Sequence, residues 1–139
     1  LDQDAVGRAG SMLGSGSVVV MDDTTCVVRA AWRITRFFHR ESCGQCTPCR
    51  EGGSWLEKIL RRIESGDGRA SDVGLLMDVC DNIAPEVTWP PQQTTICVLG
   101  PSIPSSIASA IRMFEDEFTA HIDGGGCPFA TLHASAGAL

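Results

Sequence analysis

The sequence predicts a mainly α fold, a small four-helix bundle. Three observations carry that expectation. Apolar residues recur at the 3.6-residue period in four separate stretches. The links between those stretches are short, as in bundles. Only one run, Ser17 to Met21, reads as a strand. The length of 139 residues suits a single domain.

Residues 1–21 read as a short helix, a glycine-rich turn from Gly10 to Gly16, and that strand. The turn lacks the Gly-Lys-Ser/Thr ending of a phosphate loop and the spacing of a dinucleotide fingerprint, so it reads as a turn feeding a strand. The first long helix is expected from about Thr24 to His39. Its apolar face is Val27, Ala30, Ala31, Ile34, Phe37 and Phe38, with Asp22 and Asp23 at its positive end. Arg29, Arg33, Arg36 and Arg40 form the opposite stripe, a solvated face or a docking surface for an acidic partner. The second helix is expected from Pro48 to Glu64, with Thr47 as N-cap and a stripe of Trp55, Leu56, Ile59, Leu60 and Ile63. Gly66 and Gly68 end it. The third runs from Asp72 to Ile83 after Ser71, with Leu76, Val79, Cys80 and Ile83 inward. The fourth runs from Pro104 to Ile122, with a stripe of Ile107, Ile111, Phe114, Phe118 and Ile122. Pro85 to Pro91, with Trp89, reads as an irregular loop. Residues 123–139, from the glycine run onward, read as a disordered tail.

Composition excludes several classes. A net charge of −6 argues against nucleic acid as the main partner, because phosphates call for a basic surface. No run is long and apolar enough to enter a membrane as a helix. The start, Leu1-Asp2-Gln3-Asp4, resembles no signal peptide, and its lack of an initiator methionine suggests a piece of a longer chain. Seven cysteines without a secretory signal read as reduced thiols or metal ligands. His39, His121 and His133 are scattered, and none pairs in sequence with a catalytic partner.

Cys43, Cys46 and Cys49 form a C-x2-C-x2-C loop, which aims successive thiolates at one centre. Three iron corners of a 4Fe–4S cluster can be reached from such a loop, and a fourth ligand comes from elsewhere. The ferredoxin pattern continues with another cysteine; here Arg50-Glu51-Gly52-Gly53 follows. Cys26 lies near an apolar face, Cys80 sits within an apolar stripe as a small hydrophobe, and Cys127 lies in the glycine-rich tail. Cys97 lies in a loop before the last helix, free to be aimed at the first loop, and is the expected fourth ligand. Pro48 opens a helix, so the positive end of its dipole faces the anionic group. Gly44 permits close backbone approach, and Arg50 is placed to tune the potential. Zinc is the main competing metal, with His39 as a possible ligand, but structural zinc usually takes ligands in two separated pairs, not three in one loop. A catalytic cluster with one open iron would have a longer first gap, C-x3-C-x2-C.

The stretch Glu41-Ser42-Cys43-Gly44-Gln45-Cys46-Thr47-Pro48-Cys49-Arg50-Glu51-Gly52 resembles the cluster loop of the NADH-binding flavoprotein subunits of respiratory complex I, the NADH-quinone oxidoreductases. The resemblance continues through Trp55 to Leu60, returns at Thr95-Ile96-Cys97-Val98-Leu99-Gly100, and includes Phe114 to Ile122. It implies that residues 1–22 end a preceding β-grasp domain and that residues 23–122 form an iron–sulfur domain. It implies Cys43, Cys46, Cys49 and Cys97 as ligands of one 4Fe–4S cluster, with Val98 and Leu99 near FMN. NADH would reduce FMN in an upstream domain, and the cluster would pass electrons singly to another component of the peripheral arm on the cytoplasmic side of the inner membrane. The segment alone would not oxidise NADH. Diaphorase subunits of NAD-reducing hydrogenases and NAD-linked formate dehydrogenases share the pattern, and a zinc-held interaction domain is the non-redox alternative. Two stretches depart from the family: an excess at Glu86 to Gln93, and Pro101-Ser102-Ile103-Pro104 after Gly100.

Overall fold

The computed structural model describes residues 2–9, 13–85 and 94–131. The loop expected at 85–91, the excess at 86–93, His133 and the end of the chain lie wholly or mostly outside these residues. The described chain is mainly helical. Helix α1 (Gln3–Arg8) is capped by Asp2, whose Oδ1 accepts from the Ala5 amide at 2.7 Å. It buries nothing.

Among the described residues there is no strand. Ser17 to Met21 forms no strand, and Val18, Val19 and Val20 are 73%, 77% and 91% exposed. The β-branched run predicts a strand. A strand forms only where a neighbour takes up its amides and carbonyls, and none stands beside this one among the described residues.

Helix α2 (Val27–Glu41) starts later than the periodicity suggests. Asp22 closes a turn ahead of it, accepting from the amide and hydroxyl of Thr24 at 3.1 and 2.7 Å. The cap is Cys26, whose Sγ accepts from the Arg29 amide at 3.2 Å. The buried face is Val28, Ala31 and Thr35, rotated from the expected stripe, so that Ile34 and Phe37 are exposed. Thr35 is tolerated inside because its hydroxyl donates to the Ala31 carbonyl at 2.8 Å. On the arginine stripe, Arg36 lies 5.8 Å from the centre of the Trp32 ring.

A π-helical turn (Pro48–Gly52) runs directly into α3 (Gly53–Glu64). Leu56, Ile59, Leu60 and Ile63 are buried, while Trp55 turns outward. Helix α4 (Asp72–Ile83) buries Leu76, Val79, Cys80 and Ile83 as the pattern predicts. Neither Thr47 nor Ser71 makes a side-chain capping bond. The start of α4 is instead held by Asp72, which accepts from the Arg69 amide and from the Arg62 guanidinium.

Helix α5 (Leu99–Asp123) begins five residues before Pro104. Gly100 allows this start, because a Cβ there would lie 2.5 Å from the Thr95 hydroxyl. The backbone leaves helical geometry at Phe114 (φ −137°, ψ 36°). That break turns Phe114 outward, while Phe118 and His121 point in. Helix α2 packs on α3 and α5, and α4 packs on α5, α3 and the π-helical turn. One core joins them, built on Leu56, Leu60, Ile63, Leu76, Ile107 and Phe118.

Candidate metal centre

The cysteine loop occupies the junction between α2 and the π-helical turn. Ser42 leaves α2 in an extended conformation, and Gly44 takes φ 80°, which a side chain would resist. Arg50 reaches back and donates to the Gly44 carbonyl at 2.6 Å, while the Arg50 amide donates to the Cys46 carbonyl at 2.9 Å. The loop is thus closed at both ends by one residue. Cys49 is buried in the π-helical turn, with its Sγ 3.3 Å from the Ser42 hydroxyl. Cys46 is half-buried and Cys43 exposed. A π-helical turn fits one extra residue into the helix and is concentrated at functional sites.

Residues 94–97 come to this loop from 50 positions further along the chain. The Ile96 amide donates to Cys46 Sγ at 3.4 Å. The Thr95 hydroxyl donates to the Cys97 carbonyl at 2.7 Å, and the Thr94 hydroxyl donates to the last-turn carbonyl of Ile83. The segment before α5 is therefore tied both to the end of α4 and to the cysteine loop. Cys97 is exposed at that junction, beside exposed Val98 and half-buried Leu99.

His39 is directed elsewhere. Its Nδ1 lies 2.5 Å from Glu57 Oε2 on α3. Cys80 is fully buried, and burial pushes its thiol up to about 12. Its side chain packs in the hydrophobic core.

Among the described residues, the side chains that converge on one point are not those of the loop. They are Cys26, Glu64, His121 and Cys127, whose ligand atoms lie within 4.8 Å of one another. Sequence spacing marks neither Glu64 nor His121 as a ligand. The one available signal is positional: His121 falls three residues after Phe118 on the inward face of α5, where an imidazole needs a partner. Cys127, expected in a loose tail, is half-buried beside Cys26.

The loop donors suit an iron–sulfur cluster better than a single ion. A cubane takes each thiolate at its own iron, so its ligands surround a group rather than meet at a point. Three thiols from one loop, a second segment delivered beside them, and a backbone N–H already directed at a sulfur match that requirement.

Residues 29–121 match the NADH-ubiquinone oxidoreductase-F iron–sulfur binding region. The chain belongs to that family. It is 48% identical over 129 residues to the F subunit of the NADH-quinone oxidoreductase of Mycobacterium tuberculosis, covering 93% of this chain and 27% of the relative. The corresponding F subunit of Streptomyces coelicolor is 46% identical over 136 residues, 98% of this chain and 28% of the relative. The mitochondrial NADH-ubiquinone oxidoreductase 51 kDa subunit of Neurospora crassa is 42% identical over 122 residues, 88% and 23%. The chain therefore spans about a quarter of the length of these relatives. No helix among the described residues is long and apolar enough to cross a membrane.

Proposed function

We propose that Cys43, Cys46, Cys49 and Cys97 hold one 4Fe–4S cluster and that the chain is a one-electron relay in an NADH-quinone oxidoreductase. The observation that carries this reading is the contact from the Ile96 amide to Cys46 Sγ, which brings the Cys97 segment onto the cysteine loop across 50 positions of sequence. The cluster supplies single-electron capacity. The chain's own residues set its surroundings: Arg50 holds the loop closed, a backbone N–H faces a sulfur, and the buried side of Cys49 limits water. Electrons would arrive from FMN reduced by NADH in an upstream domain, with Val98 and Leu99 on the flavin side. They would leave to a cluster elsewhere in the peripheral arm, on the cytoplasmic side of the membrane.

Residues 23–122 are read as the iron–sulfur domain, a four-helix bundle of α2 to α5. Residues 1–22 are read as the end of a β-grasp-like domain. The exposed apolar run at Val18 to Met21 supports this, since it has no cover among the described residues.

Anaerobic reconstitution with iron and sulfide tests the proposal. The expected result is about four irons and four sulfides, with an EPR signal after dithionite that is lost in Cys97→Ala and kept in Cys80→Ala. Loss in Cys80→Ala instead would move the fourth ligand. Absence of iron with zinc on the loop thiols would replace electron transfer by a structural role.

A further inference from the structure

A second cluster of side chains of the metal-ligating kinds lies at the opposite end of α3 from the cysteine loop. Cys26 caps α2, Glu64 ends α3, His121 lies in the last turn of α5, and Cys127 follows the glycine turn. Cys26 Sγ is 3.2 Å from His121 Nε2 and 3.6 Å from Glu64 Oε2, and His121 Nε2 is 3.4 Å from Glu64 Oε2. Zinc bonds of about 2.3 Å to sulfur and about 2.0–2.1 Å to nitrogen or oxygen set tetrahedral ligand spacings of roughly 3.3–3.8 Å. The three spacings have that scale. We propose that Cys26, Glu64, His121 and Cys127 bind one structural zinc ion, separate from the cluster proposed above.

The surroundings fit a metal as well as the buried His121–Glu64 ion pair that occupies the point without one. His121 Nδ1 lies 2.7 Å from the Glu117 carbonyl, which can only accept, so Nδ1 carries a proton. In the neutral ring Nε2 then presents its lone pair to Cys26 and Glu64. A histidine fixed through its other nitrogen is the usual outer arrangement of a zinc site. Cys26 and His121 are 1% and 0% exposed, so two of the four donors are shielded from water while Glu64 and Cys127 face the surface. Two thiolates, one carboxylate and a dication sum to one negative charge. Arg29 faces it, with its guanidinium 3.7 Å from Glu64 Oε1 and its amide donating to Cys26 Sγ. On binding, zinc replaces one proton on each thiol, and two protons leave to solvent.

The chain path is built to return Cys127 to this point. A Cβ on Gly66 would lie 2.3 Å from the Gly125 carbonyl oxygen, so the turn after α3 and the turn after α5 touch through bare backbone. The Gly126 amide donates to the His121 carbonyl at 2.9 Å and closes the second turn. A surface depression of ≈ 390 Å³ lined by Glu64, Ser65, Gly126 and Cys127 gives an ion a path from solvent. Each ligand comes from a different element, so zinc would fasten the segment after α5 to the starts and ends of three helices. Two sulfurs with one nitrogen and one oxygen suit zinc, which imposes no stricter geometry of its own.

The test is metal analysis and zinc K-edge X-ray absorption of the purified protein, prepared without added zinc. One zinc per chain, with two sulfurs at about 2.3 Å and two nitrogen or oxygen neighbours at about 2.0 Å, is expected. Cys127→Ser and His121→Gln should each lose that zinc, whereas Cys43→Ser should keep it while losing iron. Helix content by circular dichroism checks that Cys127→Ser folds. Zinc lost in Cys43→Ser but kept in Cys127→Ser would overturn the proposal by placing the ion on the loop. So would a wild-type protein with no zinc, one with an additional iron at these residues, or one whose mass shows Cys26 and Cys127 joined as a disulfide.

Discussion

The two ends of α3 carry the two proposed metal sites in opposite arrangements. At its start, three of the four proposed cluster ligands fall within seven residues of sequence, and two of the four are exposed. At its end, four ligands are scattered in sequence and converge within 4.8 Å, with Cys26 and His121 buried. The contrast follows from what each group needs. A multi-iron cluster brings its own bulk and can be gripped by one flexible loop and a neighbour. A single ion requires donors fixed at near-contact spacing, which the helices around it supply. Sequence spacing therefore announces the first kind of site, and packing creates the second.

The strongest way to break this comparison is to exchange the losses. Cys46→Ser should abolish bound iron and the reduced-state EPR signal while leaving zinc at one per chain. Cys127→Ser should do the reverse. Metal analysis of the two variants side by side checks this. A variant that loses both metals would show that the ends of α3 are one cooperative site.

The difference also explains what the sequence makes legible. The cysteine loop can be read directly because two-residue gaps are local. Cys97 is proposed as fourth ligand by elimination, since the other cysteines lie on helical faces or in the glycine-rich segment. Cys26 and His121 are 95 positions apart, and no local spacing joins them. The helices show the same division. The α4 stripe matches its buried residues because apolar side chains make up most of it. The α2 stripe misleads because Thr35, a polar residue, takes a core position by bonding its own helix. Ile34 and Phe37 then stay outside. Phe114 breaks the α5 pattern for a backbone reason that side-chain periodicity does not contain. Ser17 to Met21 has strand-forming residues but no neighbour to pair with among the described residues.

Between the two ends, Asp72 and Arg62 join α3 to α4 without any metal. The Asp72 side chain is 1% exposed and that of Arg62 27%. Asp72→Ala should cost about 3 kcal/mol, because it leaves the Arg62 guanidinium and the Arg69 amide without their acceptor. Chemical denaturation measures it. Burial alone would raise the carboxyl, but the Arg62 guanidinium and the Arg69 amide hold its pKa below the ordinary 3.8. A carboxylate depressed on folding stabilises the protein above its unfolded pKa. That contribution is lost as pH falls below 3.8 through the folded value, and Asp72→Asn should flatten this part of the acid-unfolding profile. Metal content at neutral pH should not follow this profile.

Gly66→Ala tests whether the second site depends on backbone contact. Gly66 has φ 92°, and a Cβ would strike the Gly125 carbonyl. Strain of this kind costs about 1–3 kcal/mol. The variant should also weaken zinc retention against a chelator, because the displaced turn carries Cys127. Iron at the other end should be unchanged. Equal loss of iron would show that the strain spreads along α3.

Cys80→Ala sharpens the comparison from the side of a cysteine assigned to neither proposed site. Its thiol is fully buried on α4, and burial pushes it up to about 12, so it stays protonated at neutral pH. It packs in the same core as Leu76 and Ile107. Removing one buried sulfur leaves a small void, and a loss of about 1 kcal/mol is expected. Iron and zinc should both remain at their wild-type amounts. The stability change and the metal content separate the roles of this residue: a ligand would change the second far more than the first. A drop in iron would mean that α4 reaches the cluster and that the exposed thiol at Cys97 is not its fourth ligand. Unchanged metals with a small loss of stability would leave Cys80 as a hydrophobe and keep each end of α3 with its own ion chemistry.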